Sequence, residues 1–185
     1  MTLATDNPLL QPWDTLHGLP PFRKIRTEHF APAFEVALAE HLADIERIAG
    51  SAAAPGFENT IAALDRSGRL LDRVGSLFHN LTASETSPPL QAVERDMAPR
   101  LAAHNNKVYS NAALFARIDA LHAQRAALKL SPEQLRVLER IHFDFVRAGA
   151  KLAPAAQQRY GEVMQRLAEL TTRFGQNVLA DEAAY

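Results

Sequence analysis

The sequence has no cysteine and almost no net charge, and both features limit what the protein can be. Without cysteine there are no disulfides and no thiolate metal ligands. Its 20 basic and 21 acidic residues give a net charge of −1, whereas nucleic-acid and membrane-surface binders usually carry a basic patch. No apolar run approaches the ~20 residues of a membrane span, and the opening MTLATDNPLLQPW lacks the features of a signal peptide. We therefore expect a soluble cytoplasmic protein with neither a nucleic-acid nor a membrane partner.

Local catalytic motifs are also missing. The sequence contains no H-E-x-x-H zinc motif, no G-x-S-x-G serine motif and no glycine-rich phosphate loop. None of its histidines lies three or four residues from another, so no single helix offers a histidine pair to a metal. The seven are His17, His29, His41, His79, His104, His122 and His142.

We therefore expect no catalytic, cofactor-binding or metal-ligating residue in this chain. A site assembled from distant histidines stays open as the alternative. His79, His104 and His142 fall near apolar stripes, which predicts boundary histidines with hydrogen-bond partners.

What the sequence does contain is a nearly continuous helical pattern. Apolar residues recur at three- and four-residue steps, and no strand-like alternation competes with them. The pattern predicts an all-α fold, a bundle of about six long amphipathic helices. Pro8, Pro12, Pro20 and Pro21 predict that residues 1–25 form an extended arm, which leaves 26–185 as a helical domain.

Several helix starts have clear local signals. Ser87 followed by Pro88 predicts one start, and Asn111 another. Ser131, Pro132 and Gln134 form an S-x-x-Q capping box. The first helix is expected after Thr27 and the last near Pro154. Pro99 lies inside the third segment and predicts a kink or break near Ala98.

The segment 57–81 has the spacing of a heptad seam. The seam positions are Phe57, Ile61, Leu64, Gly68, Leu71, Gly75 and Phe78. Each glycine costs about 1 kcal/mol of helix propensity relative to alanine. We interpret the two glycines as points where a neighbouring helix approaches closely, with a ligand or a hinge as the alternative.

The final segment shows no clear helix stop. Its apolar stripe runs through Gly175 to Val178, with no proline beyond and no basic last turn. Either this helix frays into solvent or the sequence is part of something longer.

Stretches spread over the whole chain resemble one family of enzymes. They are NPLL at 7–10, LPPFRKI at 19–25, HFAPAFEVALAEH at 29–41, FENTIAALDRSG at 57–68, FVRAGAKL at 145–152 and RYGEVMQRLAELTTRFGQNVLADE at 159–182. In this order they resemble the N-terminal region of the thimet-oligopeptidase-like zinc metallopeptidases, among them bacterial oligopeptidase A and peptidyl-dipeptidase. The stretch at 145–152 favours the peptidyl-dipeptidase side.

The resemblance implies a part of a two-lobed helical enzyme that cleaves short peptides in a deep channel. The family's zinc is held by the histidines of an H-E-x-x-H helix and a later glutamate, and no residue of this sequence matches them. The chain would then form one wall of the channel, partner the C-terminal catalytic region of the same protein, and be inactive alone. The alternative is a stand-alone, non-enzymatic helical interaction module.

Overall fold

The structure is a computed structural model that describes residues 6–184. Helices account for 74% of these residues, and they contain no strand, which confirms the predicted all-α class. The α-helices are α1 (Phe30–Ala49), α2 (Ala62–Asp65), α3 (Arg69–Ser84), α4 (Pro88–Tyr109), α5 (Ala112–Ala123), α6 (Pro132–Arg147) and α7 (Pro154–Ala184). Leu16–Gly18 and Thr27–His29 are short 3₁₀ turns, and Phe57–Ile61 is a π-helical turn. Six of the α-helices are long, as predicted, and α2 is a single turn.

The predicted helix starts are confirmed where a capping side chain defines them. The Asn111 side chain accepts a hydrogen bond from the Leu114 backbone N–H at 2.9 Å. In the capping box, the Gln134 N–H donates to Ser131 Oγ and the Ser131 N–H donates to Gln134 Oε1, at 3.1 and 3.0 Å. These bonds satisfy N–H groups that the first helical turn leaves without partners.

Residues 57–81 do not form one continuous helix, so that part of the prediction is wrong. The backbone breaks at Gly68, whose φ of +70° lies in the left-handed region, and α3 starts after it. A Cβ atom at Gly68 would lie 3.1 Å from the His41 ring, which confirms close approach by α1 at this glycine. At Gly75 the nearest atom would belong to His79 of the same helix, at 4.0 Å, so close approach is wrong there.

The predicted break near Ala98 does not occur. Helix α4 continues on both sides of Pro99. Met97 is fully buried, and Val93 and Leu101 pack against the same apolar cluster. Burial of these side chains on both sides of the proline stabilises the helix against the lost hydrogen bond.

The chain forms two compact units, each with its own core. The first comprises the described parts of 1–41, 68–101 and 165–185. At its centre Phe78 makes edge-on ring contacts with Phe30 and Phe34, at centroid distances of 5.1 and 5.3 Å. The N-terminal segment joins this core through Leu9, which is fully buried and whose carbonyl accepts a hydrogen bond from Arg73. The division into an arm and a domain at residue 25 stays a prediction.

The second unit comprises residues 42–67 and 102–164. Its core contains nine buried apolar residues from α1, the π-helical turn and α4–α6, namely Ile45, Ile48, Ile61, Val108, Leu114, Ile118, Leu121, Leu138 and Phe145. Helices α5 and α6 pack against each other in this unit, and this packing positions the side chains of the candidate site.

Candidate functional site

Two histidines that are distant in sequence meet where α5 packs on α6. The imidazole rings of His122 and His142 are parallel within 1°, and their centroids lie 3.8 Å apart. His142 Nε2 lies 2.8 Å from Asp119 Oδ1, one turn before His122 on α5. A site assembled from distant histidines is an alternative that the sequence leaves open, and the structure brings these two together. Sequence spacing gives no signal for it, because the pairing depends on the register of two helices.

The charges around this histidine pair differ on its two sides. The hydrogen bond from His142 is the main cause that lowers the pKa of Asp119, and Lys151, 3.4 Å away, adds to it. On the other side, partial burial lowers the pKa of His122, and electrostatic interactions with His142 and Arg125 lower it further. Because its pKa is lowered, His122 stays neutral more readily than a free imidazole.

The histidine pair does not fit a zinc centre. The lone pair of an imidazole nitrogen lies in the plane of its ring. In two parallel stacked rings these lone pairs lie in two separate parallel planes, so they do not point toward one metal ion. Zinc needs its nitrogen ligands to converge at about 2.0–2.1 Å. Among residues 6–184 no cluster of three or more histidine, aspartate or glutamate side chains is arranged to hold a metal.

The other two boundary histidines differ in environment. His104 is buried, with 5% of its surface exposed, and it has an interaction partner. His79 is exposed on α3 with its ring edge toward Phe78, so a boundary position is wrong for this residue. Neither of them joins the pair on α5 and α6.

An open cavity of about 550 Å³ lies beside the histidine pair. It is lined by His122 from α5 and by Arg136, Glu139, Arg140, His142, Phe143 and Val146 from α6. The lining combines guanidinium groups with aromatic and aliphatic surface and contains no serine, threonine or lysine nucleophile. This composition suits binding of an anionic or amphipathic group better than covalent catalysis.

A second exposed feature lies on α7. Leu167, Leu170, Phe174 and Val178 follow one another at helical spacing and are between 39% and 70% exposed, with Phe174 the most exposed. We call these four residues the α7 apolar face. The helix is fixed to α4 by Gln176, whose amide donates hydrogen bonds to the Gln91 carbonyl and to Glu94 at 3.1 and 2.6 Å. These two hydrogen bonds turn another side of α7 toward α4. The α7 apolar face is therefore left in contact with solvent.

None of the helices within 6–184 combines the length and apolar character that crossing a membrane requires.

No protein-family model matches the sequence. Individual relatives do. The chain is 40% identical over 178 residues to a dipeptidyl carboxypeptidase of Salmonella typhimurium, a match covering 96% of this chain and 26% of that protein. It is 39% identical to the dipeptidyl carboxypeptidase of Escherichia coli over the same shares of both proteins. With oligopeptidase A of E. coli it shares 31% identity over 173 residues, which are 94% of this chain and 25% of that enzyme.

The chain thus spans about a quarter of the length of the curated relatives that it matches. The match extends over nearly all of its residues, so the relationship applies to both compact units and not to one motif. The chain is similar over nearly its whole length to part of the dipeptidyl carboxypeptidases and of oligopeptidase A.

Proposed function

We propose that this chain is the N-terminal helical domain of a zinc metallo-oligopeptidase, a hydrolase that cleaves short peptides. It forms part of the wall of the substrate channel and lies outside the catalytic zinc site, which the C-terminal region of the same protein supplies. The observation that carries this proposal is the 40% identity over 96% of the chain to a dipeptidyl carboxypeptidase of which the chain spans 26%.

The α7 apolar face supports a partner in the remaining part of the protein. Four large apolar side chains exposed side by side are costly in water, at roughly 25 cal/mol for each Å² of apolar surface. Packing against the C-terminal catalytic region would remove this surface from water. Residues 26–185 would then act as one structural part of the enzyme, with 1–25 as its arm.

The environment in this proposal is the cytoplasm, and the partners are short peptides and not nucleic acids or membranes. A wall of long helices suits this task because a helix keeps its shape over a distance of ~1.5 Å per residue. Folded proteins would be kept out of the channel by their size.

The experiment compares two purified proteins, the product of the whole reading frame and the 185-residue chain alone. We expect the longer protein to hydrolyse a short blocked peptide, to lose this activity with a zinc chelator and to regain it when zinc is added. The chain alone is expected to release no product. Hydrolysis by the chain alone, or a longer protein that is indifferent to the chelator, would contradict the proposal. A chain that is monodisperse and has no longer reading frame would instead support the stand-alone interaction module.

A further inference from the structure

The solvent side of α6 carries a row of arginines around one exposed aromatic ring. Arg136, Arg140, Phe143 and Arg147 are spaced by four, three and four residues, which places them on one face of the helix. This face is opposite to the buried side chains of α6, and all four residues are exposed. We call them the arginine–phenylalanine face.

Two of the acidic residues of α6 beside this face already have basic partners. Glu139 lies 4.0 Å from the Nε of Arg125, and Asp144 lies 3.1 Å from the Nε of Arg140. Within the described part of the chain, neither Arg136 nor Arg147 has a carboxylate within ion-pair distance. The face therefore offers two guanidinium groups that are available to a carboxylate of a partner, although the whole sequence has a net charge of −1.

Phe143 adds apolar surface in the middle of these charges. Its side chain is 48% exposed, and the guanidinium carbons of Arg140 and Arg147 lie 5.9 and 5.6 Å from its ring centroid. Arginines stacked on an exposed ring are held in place while their outer N–H groups stay available to a carboxylate. Arginine and large aromatic residues are also the types that contribute most to binding where proteins meet their partners.

The cavity beside the histidine pair continues this face. Arg136, Arg140 and Phe143 belong to its lining, and Val146 adds aliphatic surface. Its volume of about 550 Å³ is within the roughly 300–1,000 Å³ typical of small-molecule sites. The cavity has room for a large apolar side chain whose backbone crosses the arginines.

We propose that the arginine–phenylalanine face and the adjoining cavity bind short acidic peptides that carry a large apolar side chain. Carboxylates of the peptide pair with Arg136 and Arg147, and the apolar side chain packs on Phe143 at the mouth of the cavity. The inference deepens the proposed function, since short peptides are the substrates there, and it assigns the enzyme a preference for acidic ones.

The test is direct binding to the 185-residue chain, measured by fluorescence anisotropy of a dye-labelled, glutamate-rich peptide with one phenylalanine. Two control peptides replace either the glutamates by lysine or the phenylalanine by glycine. We expect the acidic peptide to bind at least about tenfold more tightly than the lysine peptide. Raising the salt concentration from about 0.05 M to about 0.3 M should weaken its binding several-fold.

Variants locate the site. The double variant Arg136→Glu/Arg147→Glu should weaken binding of the acidic peptide by about tenfold or more, and Phe143→Ala by about threefold to tenfold. The double variant Arg23→Glu/Arg69→Glu is the matched control, because it makes the same charge change at two exposed positions outside α6 and leaves the face intact. Circular dichroism verifies that each variant keeps its helical content.

Equal binding of the acidic and lysine peptides, no binding of either, or a double variant that binds like the unchanged chain would overturn the inference. This binding assay contains no hydrolytic step, so its result is separate from that of the peptidase assay. Binding by the chain beside an inactive longer protein would leave this inference standing and refute the proposed function. Hydrolysis by the longer protein without binding of the acidic peptide to the chain would refute this inference and leave the proposed function standing.

Discussion

Arg117 is a charged residue in the interior of the second unit. It is only 7% exposed, and one of its Nη atoms donates to the carbonyls of Ser51 and Ala53, each at 3.0 Å. Its other Nη atom donates to Asn59 Oδ1 at 3.2 Å. The two carbonyls lie in the irregular connection after α1, and Asn59 lies in the π-helical turn that follows it, so one side chain of α5 holds both segments in place. Its role could not be predicted from sequence, since the partners are 58 to 66 residues away.

Replacing Arg117 by methionine is expected to lower the free energy of unfolding by about 2–4 kcal/mol. The substitution keeps much of the side-chain volume but leaves the two carbonyls and the Asn59 oxygen without this donor. Urea unfolding followed by circular dichroism measures the loss. Arg69→Met, at an exposed position of α3, serves as control and should change stability by less than about 0.5 kcal/mol. Equal effects of the two substitutions would refute the structural role of Arg117.

His122 gives the folded chain a pH dependence of its own. Burial, together with the charges of His142 and Arg125, lowers its pKa below the ordinary value of 6.5, while Asp119 and Glu139 act in the opposite direction. The unfolded state therefore binds this proton more readily than the folded state, so the contribution of His122 to stability is present above pH 6.5 and lost as the pH falls below it. Asp119 does not interfere in this window, because its pKa is lowered from 3.8.

We expect the melting temperature to fall between about pH 7 and pH 5.5, and to fall less in the variant His122→Gln. Thermal unfolding of both proteins at the two pH values measures the difference. The matched control is His79→Gln, which alters an exposed histidine on α3 and should keep the full pH dependence. If His122→Gln shows the same slope as the unchanged chain, His122 is not the group responsible.

Among the secondary-structure elements, helix caps could be predicted from the sequence. Features that depend on contacts between residues distant in sequence could not. The capping box at Ser131 and the cap at Asn111 involve residues three positions apart, so the sequence shows both partners together. The heptad seam at 57–81 predicted which residues are buried but not whether the helix is continuous. Its first half packs in the core of the second unit and its second half in that of the first, so an apolar pattern persists across the break at Gly68.

The two seam glycines provide a matched pair of substitutions. Gly68→Ala should cost about 1–3 kcal/mol, because alanine is disfavoured at a φ of +70° and its Cβ would meet the His41 ring. Gly75→Ala should stabilise the chain by about 0.5–1 kcal/mol, since this glycine lies inside α3 with space around it. Urea unfolding of both variants measures the change in the free energy of unfolding, which should be a decrease for Gly68→Ala and an increase for Gly75→Ala. Two changes of the same sign would contradict the break at Gly68.

The candidate site could be predicted only in part at this scale. The arginines and Phe143 are visible in the sequence at helical spacing, but such a row is normally a solvated face. What the sequence cannot show is which acidic residues are already paired and where His122 and His142 meet. Both depend on how α5 and α6 pack, and that is set by the shapes of core side chains such as Leu121 and Leu138.

For the molecule as a whole, the α7 apolar face is the surface on which the proposed packing against further protein depends. The stripe was recognised from its spacing, and the structure shows that Leu167 and Phe174 are 52% and 70% exposed. Monomeric soluble proteins seldom leave a contiguous apolar row uncovered. In the isolated chain this surface should favour self-association.

We expect the isolated chain to form concentration-dependent oligomers, and the double variant Leu167→Asp/Phe174→Asp to reduce them strongly. The substitutions remove apolar surface from exposed positions, so the helical content should stay unchanged. Analytical ultracentrifugation over a range of concentrations measures the association. Asp substitutions at the exposed positions Asn177 and Ala180, outside this face, provide the control. A chain that is strictly monomeric at all concentrations would contradict the expectation.

In the proposed function, the α7 apolar face packs against the remaining part of a longer protein and is not exposed to solvent there. Hydrogen–deuterium exchange of residues 163–179 tests it most directly, compared between the isolated chain and the product of the whole reading frame. We expect amide exchange in this part of α7 to be at least about tenfold slower in the longer protein, because a packed helix opens less often than an exposed one. Equal exchange rates in the two proteins, or a reading frame that ends with this chain, would contradict it.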